Sequence, residues 1–173
     1  MHRRLIPFPA VVLISIVALG AQIACSRPAP APPAAANVLQ IMRGTLFPSS
    51  NVVFAAQSDD PEKIEKDDDP ATATDPLKSA YGGWEAVMNA GLALNESARL
   101  LEVPRACSNG KPAPIDDERW TNGLAELRAA GLASYEAGKA KNQDQVLEAA
   151  DKVSTSCSTC HDVFREKEPR CTP

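Results

Sequence analysis

The chain is poor in aromatic residues, in histidine and in long apolar runs. Phe, Trp and Tyr make up 5% of its 173 residues, and β-branched residues form no alternating runs. Aromatic and β-branched residues favour strands, whereas the abundant Ala, Leu and Glu favour helices, so the composition predicts an all-α fold. Acidic side chains outnumber basic ones, 22 to 18. This balance argues against nucleic acid as a partner.

The chain also lacks the residue sets that most catalytic sites need. Its histidines are His2 and His161 alone, and no nucleophile lies in a pattern with a general base. We therefore expect no enzymatic activity. The acidic segment 58–76 lacks the spacing of a calcium-binding loop, and we interpret it as a long exposed crossover.

One short motif carries most of the functional information, the segment from Cys157 to His161, which reads C-S-T-C-H. Two thiols at positions i and i+3 of a helix lie on one face, where they can add across the two vinyl groups of one porphyrin. His161 follows one turn after Cys157 and can offer an imidazole nitrogen to the iron. The motif predicts one haem c per chain, bound covalently through Cys157 and Cys160.

Two other chemistries use similar cysteine pairs. A thioredoxin-like redox pair requires a βαβ pattern around it, and that pattern is absent. A zinc site requires two further ligands, and the remaining candidates are Cys107, Cys171 and His2. We rank haem attachment above both.

The N-terminus has the features of an export signal, as haem attachment outside the cytoplasm requires. A basic start precedes an apolar stretch from Leu5 to about Leu19, which Pro7 and Pro9 interrupt. The stretch is too short for a comfortable membrane span and is typical of a cleaved signal peptide, residues 1–24.

The residues after this signal predict a tethered domain. The sequence Q-I-A-C ending at Cys25 resembles the lipobox of bacterial lipoproteins, although Gln22 replaces the usual aliphatic residue. We expect lipidation of Cys25 and a place in the periplasm or at the extracytoplasmic membrane surface; ordinary cleavage is the alternative. We expect the Pro/Ala-rich residues 25–36 to form an extended tether, with a disordered N-terminus as the alternative, and 37–173 to form the folded domain.

The apolar pattern predicts four helices. The first opens around Asn37, and Pro48 should kink or end it, with a short extension beyond. The others are expected at about 82–103, from N-cap Asp116 to about 140, and from about 142 to about 167.

Regular four-three spacing marks the inward faces of the last two helices. Small residues on the third either make room for a flat cofactor or allow close helix packing. The third-helix seam comprises Trp120, Leu124, Leu127, Gly131, Ser134 and Gly138; the fourth comprises Val146, Ala150, Val153, Cys157, Cys160 and Phe164.

Two further cysteines are expected to pair. Cys107 lies between the second and third helices, and Cys171 follows the fourth. In an antiparallel bundle both positions lie at the same end of the molecule. Because both cysteines are expected to reach an oxidising compartment, we predict a disulfide between them.

The position of the haem motif gives a family resemblance. A single C-x-x-C-H close to the C-terminus, followed by Phe164 and Arg165, resembles class II c-type cytochromes, the cytochrome c-prime group. The resemblance implies an antiparallel four-helix bundle that exchanges electrons with a redox partner protein. It implies that His161 is the proximal iron ligand with Arg165 beside it. It also allows a homodimer.

In such proteins the sixth iron position decides the function. A methionine from the first helix gives a low-spin electron carrier, and Met42 is the candidate. Low-spin relatives place an arginine four residues earlier, where this chain has Val38, and Arg43 follows Met42 instead. Met88 is a rival ligand, and a methionine that only fills the core is a further alternative.

The alternative function is a five-coordinate haem protein that binds nitric oxide or carbon monoxide. A haem peroxidase usually needs a distal acid–base group, and His2 leaves with the signal. A structural haem subunit is the remaining alternative.

Overall fold

The computed structural model describes residues 33–165 and residue 171. Within them the chain is all-helical, as the composition predicted, and its β-type pairing is one isolated bridge between Ala106 and Pro112. Four helical rods are present in these residues, consistent with a helical bundle. The first contains α1 (Val38–Ile41), a π-helical turn (Met42–Leu46) and α2 (Phe47–Ser58); the others are α3 (Trp84–Arg99), α4 (Glu118–Ala140) and α5 (Gln143–Phe164).

The predicted signal peptide, Cys25 and most of the tether lie outside the described residues. In the part of the chain that is described, no helix has the length and apolar character needed to cross a bilayer.

The first rod begins at Asn37, as its sequence predicted. The Asn37 side chain accepts a hydrogen bond from the Gln40 backbone N–H at 2.9 Å, and the Gln40 side chain accepts one from the Asn37 N–H at 2.8 Å. This reciprocal pair is a capping box, which satisfies two helix-end donors. Pro48 does not end the rod, which stays helical to Ser58. The turn before the proline widens instead.

Three predicted boundaries of α3 and α4 are wrong by one to four residues. α4 is capped by Asp117 rather than Asp116, because the Asp117 carboxylate accepts the hydrogen bond of the Arg119 N–H at 2.9 Å. α3 begins at Trp84, since Gly83 has a φ of 60° and cannot continue a right-handed helix. α3 ends at Arg99, and the next three N–H groups bond to carbonyls three residues earlier, which forms tighter turns than an α-helix.

The fourth rod begins as predicted, with Asn142 as N-cap. The Asn142 side chain accepts from the Gln145 N–H at 3.1 Å. α5 ends at Phe164, short of the predicted Lys167, and Arg165 is its C-cap. Residues 166–170 lie beyond the described part.

The seam predicted for α4 is confirmed, because all six of its residues are buried. On α5 the apolar seam residues are buried, whereas Cys157 and Cys160 are half-buried. The reason is a cavity, described below, that both cysteines line.

Glycines allow α3 and α4 to pack closely. A Cβ atom at Gly131 would lie 2.6 Å from the Asn95 backbone nitrogen, and one at Gly91 would lie 2.7 Å from the Gly131 carbonyl oxygen. Real Cβ atoms do not approach backbone atoms so closely. At these positions close helix packing, rather than room for a cofactor, is the role of the small residues.

The segment between α2 and α3 is mostly exposed and contains a 3₁₀ turn at Pro76–Lys78. Leu77 of this turn is buried, and Lys66 donates a hydrogen bond to the Ala80 carbonyl at 3.0 Å. This agrees with the exposed crossover that the sequence predicted.

Candidate functional site

A cavity of about 620 Å³ is lined by residues of the first rod, α3, α4 and α5. Its size lies within the range of about 300–1,000 Å³ that is usual for cofactor and ligand sites. Large apolar side chains form much of its wall. They include Leu46, Phe54, Leu94, Trp120, Leu124 and Phe164.

The three residues of the predicted haem motif, Cys157, Cys160 and His161, all line this cavity. α5 carries them, and their i, i+3, i+4 spacing directs them to one side of the helix. Each is half-buried, so each side chain combines access to the cavity with partial shielding from solvent.

The surroundings keep both thiols protonated. Burial raises the pKa of Cys157. Burial, followed by the charges of Cys157 and Glu126, raises the pKa of the Cys160 thiol to about 11. A redox-active pair of the thioredoxin type has a lowered thiol pKa instead. These pKa directions therefore oppose the thiol–disulfide alternative.

A zinc site is not supported either. Across residues 33–165 and 171, no three His, Cys, Asp or Glu side chains converge as a group that could hold a metal ion. Cys157, Cys160 and His161 share one cavity wall without forming such a group. A compact zinc centre would require four converging ligands.

Gly123 of α4 faces the cysteine pair. It lines the cavity, and a Cβ atom added to it would overlap the Cys160 sulfur. The predicted seam omitted Gly123, because it lies beside Leu124 on a stripe two residues wide. The signal was available in the sequence as a small residue three positions after Trp120.

Met42 lies on the π-helical turn and lines the same cavity as His161. It is half-buried and packs against the core. Met88, the rival ligand, lines a separate cavity of about 360 Å³ near Trp84 and Lys141. The structure thus brings Met42, and not Met88, into the cavity of the haem motif.

A positive charge lies beside His161. Arg165, the C-cap of α5, places a guanidinium nitrogen 3.1 Å from His161 Nδ1. Arg43 of the π-helical turn is a second cation on the cavity wall, and Asp162 is an anion there.

Cys107 and Cys171 meet at one end of α5. Their sulfur atoms are 2.15 Å apart and their Cα atoms 5.7 Å apart, and both residues are buried. The Cys171 N–H donates a hydrogen bond to the Phe164 carbonyl at 2.6 Å. Through this bond Cys171 covers the end of α5 and also lines the cavity.

An aromatic pair lines the cavity near the end of α5. The rings of Trp120 and Phe164 meet edge to face, with centroids 5.2 Å apart. The indole N–H of Trp120 donates a hydrogen bond to the Leu101 carbonyl at 3.0 Å. This pair fixes α4 against α5 beside the cysteines, and its partnership was not visible in the sequence.

Comparisons with protein-family models, with curated proteins and with solved structures found no match for this chain. The functional argument therefore depends on the motif and on the cavity that it lines.

Proposed function

We propose that this chain is a monohaem c-type cytochrome that transfers electrons outside the cytoplasm. One observation carries the proposal: Cys157, Cys160, His161 and Met42 line a single, largely apolar cavity of about 620 Å³. Two thiols, an imidazole and a thioether are the groups that a covalently bound, six-coordinate haem uses.

The residues of the cavity fit haem c. Cys157 and Cys160 would hold the porphyrin, and His161 would offer its imidazole to the iron. Arg43 and Arg165 on the cavity wall suit the two carboxylates that the cofactor carries. When bound, the haem supplies a reversible one-electron change at the iron.

The chain's own residues would set the potential of that change. Apolar walls would disfavour the more highly charged oxidised iron, and ligation by the Met42 thioether together with His161 would raise the potential further. The Arg165 guanidinium beside His161 acts in the same direction. No side-chain set for substrate chemistry is needed, and the proposed role is electron transfer rather than catalysis.

The remaining features complete the proposal. The rods form an antiparallel bundle of the cytochrome c-prime type, exported by a cleaved signal and anchored through lipidated Cys25. Its partner is a second redox protein, and a homodimer is consistent with the resemblance.

One observation favours the second candidate, a five-coordinate haem protein that binds nitric oxide or carbon monoxide. Apolar Leu46 and Phe54 line the cavity on the same rod as Met42. If Met42 leaves the iron unligated, these side chains provide an apolar pocket suited to a diatomic gas.

Absorption spectra of the protein, expressed with cytochrome c maturation machinery, test the proposal. An electron carrier with Met42 as ligand gives a low-spin ferric spectrum and a reduced form that does not bind carbon monoxide. High-spin iron and rapid carbon monoxide binding favour the gas-binding alternative. A matched pair of variants tests attachment: C157A/C160A should lose covalent haem, whereas S158A, which keeps the motif, should retain it.

A further inference from the structure

The first rod lines the cavity with two adjacent rows of residues, each of which repeats at every fourth position. The longer row comprises Val38, Met42, Leu46, Ser50 and Phe54, and beside it lie Leu39, Arg43, Phe47 and Asn51. In a regular α-helix four residues turn through about 400°, so each member of such a row lies about 40° further round the axis. Over sixteen residues the row would turn by about 160° and leave the cavity. The whole row can face one cavity only if part of the rod turns through a smaller angle per residue than a regular α-helix does.

The π-helical turn Met42–Leu46 provides this correction. Its closing hydrogen bond runs from the Phe47 N–H to the Met42 carbonyl, five residues back instead of four. Such a turn accommodates one additional residue, and so absorbs about 100° of helical rotation. Val38 and Met42 consequently stay on the side of the rod that carries Leu46.

Pro48 explains why the turn is wide. Proline has no N–H to donate to the carbonyl of Gly44, four residues earlier, and in a regular helix its ring would collide with that carbonyl. Widening the preceding turn relieves the collision. Gly44 lies at the widened position, and nothing lies within 4 Å of where its Cβ would be.

We infer that Pro48 is a positioning residue for the sixth iron ligand: it imposes the π-helical turn that directs Met42 into the cavity. The inference rests on the proposed function, in which Met42 and His161 both ligate the iron. It gives a cause for the orientation of Met42, which neither the haem motif nor the family resemblance supplies. Without the proline, Phe47 can bond to Arg43 in the α-helical manner, and the residues before Leu46 rotate around the rod.

The test compares P48A with S49A in the haem-loaded protein. S49A lies next in the rod, does not line the cavity and keeps every backbone donor. We expect P48A to convert the ferric spectrum from low-spin to high-spin as completely as M42A does. S49A should keep the wild-type spectrum. Haem content and circular dichroism should match in both, because alanine favours the helix.

A second readout does not require haem. Limited peroxide oxidation followed by peptide mapping reports the accessibility of Met42, with Met88 on α3 as an internal reference. P48A should raise the oxidation of Met42 relative to Met88 several-fold, and S49A should leave the ratio unchanged.

The outcomes separate this inference from the proposed function. A low-spin P48A protein, an unchanged Met42 oxidation ratio or a high-spin wild type each overturns the inference while haem attachment stands. A wild type without covalent haem refutes the proposed function; the oxidation ratio then still decides whether Pro48 positions Met42.

Discussion

Gly123 on α4 and Cys160 on α5 are in such close contact that a Cβ atom at Gly123 would occupy the place of the Cys160 sulfur. The α4 backbone therefore forms the wall beside this thiol. In the proposed cytochrome this space accommodates the thioether. There the Cys160 S–H would add across a vinyl C=C of the porphyrin, with sulfur bonded to one carbon and hydrogen to the other.

Alanine at Gly123 should displace Cys160 and impair its thioether. We expect G123A to retain haem through Cys157 and to show one alkylatable thiol within residues 153–165 after denaturation, where the wild type shows none. G131A is the matched control on the same helix, since it disturbs packing against α3 but does not contact the cysteines. If Cys160 of G123A could not be alkylated after denaturation, as in the wild type, this role of Gly123 would be contradicted.

The disulfide should make a large contribution to stability. Cys107 and Cys171 close a loop of 64 residues, for which chain-entropy arguments give about 4 kcal/mol. We expect C107A/C171A to lower the free energy of unfolding in urea by roughly this amount, within a typical range of about 2–4 kcal/mol. An unchanged urea midpoint would show that the bond does not constrain the unfolded chain.

Stability should depend on pH through Asp117. Hydrogen bonds from the Arg119 side chain and backbone lower the pKa of Asp117 to about 2 from its usual 3.8. Since the folded pKa is the lower one, the stabilisation is present above about pH 4 and is lost as the pH falls towards about 2. D117N keeps a capping oxygen but does not titrate. Its melting temperature should fall less than that of the wild type between pH 4 and pH 2; parallel curves would exclude Asp117 as a cause.

Removing the cation beside His161 should lower the haem potential. The positive charge of Arg165, 3.1 Å from His161 Nδ1, disfavours the oxidised iron. R165Q removes this charge and should therefore stabilise the oxidised form. Arg165 is exposed, so screening limits the shift to on the order of 20 mV, a fraction of the 59 mV that corresponds to a tenfold change. R99Q, on the surface of α3, is the control for net charge. An equal potential in R165Q and R99Q would contradict the proposed effect.

The sequence predicted the helices well because their causes are local. Apolar spacing defined the buried face of α4, and Asn37 and Asn142 marked two helix starts through their capping side chains. The sequence does not distinguish Asp116 from Asp117 as the N-cap of α4, because adjacent carboxylates offer equal capping chemistry. The turn geometry decides between them.

The features that the sequence missed depend on contacts between distant elements. Pro48 alone does not reveal whether a helix ends or widens, since tertiary packing of the residues beyond it decides. Gly123 gains its meaning only from Cys160, 37 positions later on another helix. The motif supplied the candidate ligands, whereas their shared cavity required the fold.

Covalent attachment of haem is most directly tested on the tryptic peptide 153–165, which contains both motif cysteines and His161. Protein matured with the cytochrome c assembly machinery should give this peptide with one haem, stable to denaturing acid and organic solvent, and with neither thiol open to alkylation. The same peptide at its unmodified mass, with both thiols alkylated, would contradict the account.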